Sequence, residues 1–60
     1  MTAKDFNLIA EILKDLLEDY ADDGRAVEVI EDTAQEFAVR LLDSNPRFDS
    51  ARFLTACGIK

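Results

Sequence analysis

An all-α protein follows from three features of this 60-residue chain. Apolar residues recur at spacings of three and four along two long segments. Glycine and proline interrupt the chain at three places only, Gly24, Asn45-Pro46 and Gly58. Residues that start helices (Thr2, Asp22 or Asp23, and Asp49) stand ahead of each segment between those breaks. The expected architecture is an antiparallel two-helix hairpin with a short C-terminal third helix folded across it. It forms one small domain over 1–60 that associates with further copies.

The first helix is expected over about 3–22. Thr2 is its N-cap, with Asp5 three residues on in a capping-box position. Phe6, Ile9, Leu13, Leu16 and Tyr20 form a seam of heptad type. At about 100° per residue, Leu8, Ala10, Ile12 and Leu17 widen it to roughly 200° of arc. A surface helix usually carries a narrower stripe. Such an arc needs cover on two sides. Leu8, Ile9, Ile12, Leu13, Leu16 and Tyr20 are therefore the expected interface toward a second copy or a partner.

The second helix is expected over about 25–43. Its seam is Val27, Ile30, Ala34, Phe37 and Leu41, flanked by Ala26, Thr33, Ala38 and Leu42. Val29 and Val39 fall toward the polar side. Asp22 or Asp23 caps its start, and the short Asp22-Asp23-Gly24 link makes the two long helices antiparallel neighbours.

The third helix, about 50–57, has both ends specified. Asp49 is the N-cap, and Phe48 before it and Phe53 within it stand at the positions of a hydrophobic staple. Gly58 fits a left-handed C-terminal ending, with Ile59 able to touch Leu54. Two turns do not persist alone in water. Phe48, Phe53, Leu54 and Ile59 must dock on the hairpin.

Composition narrows the chemistry. There is no histidine, so no Ser-His or Cys-His nucleophile pair and no imidazole metal ligand. One cysteine forms neither an intrachain disulfide nor a thiolate cluster. Ser44, Ser50 and Thr55 have no base to activate them. Carboxylates can do acid–base work, but here they lie on helix surfaces of a chain too small to enclose a cleft. No enzyme activity, cofactor or metal is expected. Cys57, in the last turn of the third helix, reads as a small buried apolar residue, and a helix C-terminus raises a thiol's pKa rather than lowering it.

Size argues for association. The chain buries about 5,800 Å² on folding by surface scaling. At about 25 cal/mol/Å² for an apolar share of roughly 60%, that gives on the order of 90 kcal/mol. Ordering the residues costs about as much. A monomer is marginal, and no disulfide or metal is on hand to staple it. A homo-oligomer, most simply a dimer, is the expected remedy.

The longest apolar runs are three residues, as at Leu8 to Ala10, which is too short for a membrane span. The opening Met1-Thr2-Ala3-Lys4-Asp5 lacks the apolar stretch of a signal peptide. With a lone thiol, a reducing cytoplasm is the expected location.

Thirteen acidic residues face seven basic ones, for a net charge of −6. Asp15, Glu18, Asp19, Asp22 and Asp23 crowd the end of the first helix. They read first as a solvated face that also caps the second helix. Mimicry of nucleic-acid phosphates, blocking a basic groove on a nucleic-acid-binding protein, is the alternative. A cation site is a third reading, though Asp19 to Asp23 lacks the Gly-centred, Glu-terminated pattern of an EF-hand. The basic residues Arg47 and Arg52, joined by Arg25, Arg40 and Lys60, show no interleaving with aromatics of an RNA-binding type, and Arg52 stands where it can pair with Asp49. Direct nucleic-acid binding is disfavoured by net charge. What remains is a non-enzymatic module that binds a protein through its acidic outer face and exposed apolar residues such as Leu8, Ile12, Val29 and Val39.

The tail from Asn45 to Gly58 resembles the C-terminal pattern N-P-x-F-D-x-x-R-F-L-x-A-C-G of small phage- and prophage-encoded proteins. The opening Asp5-Phe6-x-x-Ile9-Ala10-x-x-Leu13 is similar to theirs too. The strong part covers about a quarter of the chain. The motif carries no chemistry to transfer. The resemblance implies origin: a phage accessory protein, acting on a host or phage protein in bacterial cytoplasm.

Overall fold

The computed structural model describes residues 2–59. They form three helices, α1 (Ala3–Asp19), α2 (Gly24–Ser44) and α3 (Ser50–Ala56), with no strand among the described residues. Each helix packs against the other two. The molecule measures 35 × 18 × 16 Å. Its length is set by α2, whose 21 residues span about 31 Å at 1.5 Å each. No described helix is long and apolar enough to cross a membrane.

The helix ends follow local chemistry. Asp5 Oδ2 accepts from the Thr2 backbone N–H at 2.9 Å and from the Thr2 hydroxyl at 3.3 Å. At the other end α1 stops at Asp19, three residues short of the expected Asp22. Its last turn holds no basic residue, so nothing offsets the macrodipole there. The chain turns instead, with Asp23 N–H donating to Tyr20 O at 2.9 Å. Of the two expected caps for α2, Asp23 does the work. Its Oδ1 accepts from Arg25 N at 3.1 Å and Ala26 N at 3.2 Å, satisfying two amides that the helix leaves free. So Gly24, and not Arg25, opens α2.

Asn45 and Pro46 close α2. Asn45 is extended (φ −143°, ψ 97°), as a residue before proline must be. Its Oδ1 accepts from Arg47 N at 3.2 Å, and Phe48 N–H donates to Asn45 O at 2.9 Å. That turn delivers the chain to Asp49, whose Oδ1 caps Arg52 N at 3.0 Å. At the far end of α3, Gly58 N–H donates to Thr55 O at 3.0 Å and Ile59 N–H to Leu54 O at 2.9 Å. Gly58 has φ +86°. These are the two bonds of a Schellman ending, with glycine at its left-handed residue.

The core consists of Ala10 and Leu13 from α1, Ala34 and Ala38 from α2, Phe48 from the loop, and Phe53 and Cys57 from α3. Phe6, Ile9, Ile30, Leu41, Leu54 and Ile59 pack around it. Both long helices are rotated from the expected seams. On α1 the inward stripe is Phe6, Ala10 and Leu13, with half-buried Leu17 in line. Leu16 and Tyr20 are left exposed. On α2 the buried positions are Ala34 and Ala38, and Phe37 is 40% exposed. Small residues explain the rotation. Ala10, Ala34 and Ala38 leave room for Phe53 and Cys57 of α3, and the distance between helices depends on the side chains at the contact. A seam built on Leu16 and Phe37 would fill that space.

Candidate interaction surface

Three features of the surface stand out: an apolar ridge on α1, an apolar groove on α2, and an acidic end beside the ridge. A separate cavity lies where the chain's first and last helices meet.

The ridge is Leu8, Ile12, Leu16 and Tyr20, each four residues after the last. They are 57%, 51%, 37% and 50% exposed. Successive residues at i+4 stack along one face of a helix, so the four form a continuous strip. Two other expected interface residues lie elsewhere. Leu13 is 6% exposed and belongs to the chain's own core, and Ile9 is half-buried against it. The expected set thus divides. Ile9 and Leu13 hold α1 to the rest of the fold, and the other four face outward.

On α2, Val29, Thr33, Phe37 and Leu41 line an open groove of about 650 Å³, rimmed by Asp32, Glu36, Arg40 and Ser44. Arg40 Nε and Glu36 Oε1 pair at 2.8 Å across its edge. Both side chains are well exposed, so this pair contributes at most a few tenths of a kcal/mol. Val29 and Val39 are about as exposed as Leu8. Phe37 and Leu42 are also exposed, and neither was marked by its spacing as an outward residue.

Asp15, Glu18, Asp19, Asp22 and Asp23 are all exposed. Asp23 is occupied as the cap of α2, and the other four make no ion pair among the described residues. No group of three or more potential ligands is arranged to hold a metal ion among the described residues.

The cavity, about 370 Å³, lies between the first turns of α1, the Asn45–Asp49 loop and α3. Phe6, Phe48 and Phe53 line it together with Asn7, Arg47 and Arg52. The expected pairing of Arg52 with Asp49 is not formed. Asp49 accepts the Arg52 backbone N–H instead, and the guanidinium has no carboxylate within ion-pair range among the described residues. Arg25 and Arg40 do not line this cavity, and Lys60 lies outside the described residues. Spacing alone does not bring Asn7 and Phe6 to one cavity with Arg47. Their shared lining depends on how the tail folds back.

Cys57 is fully buried and unpaired. Burial pushes its thiol above the ordinary value of 9.0, which suits a packing residue and not a nucleophile.

Compared with protein-family models, with curated proteins and with solved structures, the chain shows no match.

Proposed function

We propose that this chain is a non-enzymatic interaction module that works as a homodimer. In this reading α1 and α2 run antiparallel, joined by the turn at Tyr20–Asp23, and the α1 ridge of one copy covers that of the next. The observation that carries it is the ridge itself: Leu8, Ile12, Leu16 and Tyr20 lie open in a subunit whose core is complete without them. Surface area agrees. The chain exposes 4624 Å², about 700 Å² more than a compact monomer of its mass. One partner's share of a standard interface is about 800 Å².

With the ridge covered, the groove on α2 and Val39 remain for a host or phage protein, in bacterial cytoplasm if the tail pattern reflects phage origin. Capture from a bacterial lysate tests this. A partner held through apolar contact is retained at high salt and by an Asp15→Asn, Asp19→Asn, Asp22→Asn variant, and is lost with Val29→Asp. If wild-type protein captures nothing, partner binding is wrong.

The second reading is an acidic mimic of nucleic acid, supported by four exposed carboxylates at one end that make no ion pair among the described residues. It predicts the opposite pattern: capture that fades steeply with salt and disappears in the charge-neutralised variant.

A further inference from the structure

The cavity beside α3 gathers groups that the fold itself does not use. Around its rim, Asn45 Oδ1 is occupied by Arg47 N–H and Asp49 Oδ1 by Arg52 N–H. The phenyl rings are packed on one another. Phe6 and Phe48 lie 4.8 Å apart, edge to face, and Phe48 and Phe53 lie 5.5 Å apart. What remains is a set of donors. The guanidiniums of Arg47 and Arg52 and the carboxamide of Asn7 make no side-chain hydrogen bond or ion pair among the described residues. Two cations share one cavity in a chain whose net charge is −6.

From this shared lining we infer that the cavity binds a small organic monoanion, a carboxylate carried on one aromatic ring. The guanidinium fork presents paired donors to the two oxygens of a carboxylate. Of the three rings lining the cavity, Phe48 and Phe53 are buried and Phe6 is half-buried, so the ring of Phe6 is the main apolar wall open to the ligand's body, and edge-to-face contact is what such rings favour. The volume, about 370 Å³, is at the small end for ligand pockets and suits one ring with its acid group. Charge chooses the monoanion. Asp49 shares the rim, so two arginines and one carboxylate leave a single positive charge, too little to favour a dianion such as phosphate. The site shares no residue with the α1 ridge or the α2 groove, so it stands or falls apart from the dimer.

The test is a titration of the ¹⁵N-labelled full chain with 3-phenylpropionate, its neutral amide, and inorganic phosphate, followed by NMR at backbone and arginine Nε–H signals. Phenylpropionate should give saturable shifts at Arg47, Arg52 and the Asn7 side chain, with the amide and phosphate each weaker by at least about tenfold. The Arg47→Gln, Arg52→Gln variant should lose the response by at least about tenfold while its spectrum stays dispersed. Both arginines are exposed, so the fold tolerates the change. Any of four results overturns the inference: shifts that do not saturate up to about 10 mM; equal binding of the amide, which removes the role of charge; equal binding of phosphate, which removes the role of the rings; or binding that survives in the double variant.

Discussion

The ring of Phe6, in the first turn of α1, meets the ring of Phe48, in the loop before α3, edge to face at 4.8 Å. Phe48 in turn meets Phe53 at 5.5 Å, so one side chain ties the start of the chain to its last helix. Phe48→Ala removes both contacts and opens a cavity. The expected cost is about 3–5 kcal/mol, enough to unfold a chain of this size at room temperature, read as loss of the helical circular-dichroism signal. Phe6→Leu keeps most of the apolar volume and is expected to cost about 1.5 kcal/mol or less in urea melts.

The two glycines should respond in opposite directions to alanine. Gly58 sits at φ +86° with only ordinary contact to Lys14 Cγ at 3.7 Å. The cost of Gly58→Ala is therefore one of backbone conformation, about 1–2 kcal/mol. Gly24 has no positive φ and open space where a Cβ would lie. Gly24→Ala should stabilise by about 0.4–1 kcal/mol, because the unfolded chain loses freedom that the folded one does not use. Urea midpoints of the two variants against wild type check both signs.

Cys57 makes a pH dependence. Its thiol is raised above the ordinary 9.0 by burial, so folding favours the neutral form. That contribution is fully present below about pH 9 and is lost as the pH rises through the folded-state value. Wild type should lose stability more steeply than Cys57→Ala above pH 9, measured as the difference between their urea midpoints. The native thiol should also resist alkylation until urea unfolds the chain.

Dimerisation through an apolar ridge implies weak salt dependence. Neutralising Asp15, Asp19 and Asp22 to Asn should leave the dimer constant unchanged or tighten it, since like charges lie near the contact. Sedimentation equilibrium of this variant beside wild type, at low and high salt, gives the comparison. Dissociation of the variant under either condition would place the contact at the acidic end.

Much of this structure is legible where one residue decides one local geometry. Asp49, Phe48, Phe53, Gly58 and Ile59 each do what their position in a capped helix requires, because caps and staples involve neighbours in sequence. The rotation of α1 and α2 was not legible. Both Phe6-Ile9-Leu13 and Phe6-Ala10-Leu13 satisfy a helical period, and the choice between them is made by α3, which needs the small Ala10, Ala34 and Ala38 beneath Phe53 and Cys57. The end of α1 at Asp19 is not legible from spacing, because the pattern of apolar residues continues to Tyr20 while the charge near the last turn opposes the helix. The outward set Leu8, Ile12, Leu16 and Tyr20 was contained in the expected interface, mixed with Ile9 and Leu13, which only the packing separates. The cavity was not legible at all, since it joins residues near 6 and near 50.

Sedimentation velocity of the wild-type chain from roughly 1 to 100 µM, with Ile12→Glu alongside, tests the dimer most directly. Wild type should sediment at twice the chain mass, and the variant as a monomer that is still helical but unfolds at lower urea. A wild-type chain that stays monomeric and fully folded across that range would contradict the dimer.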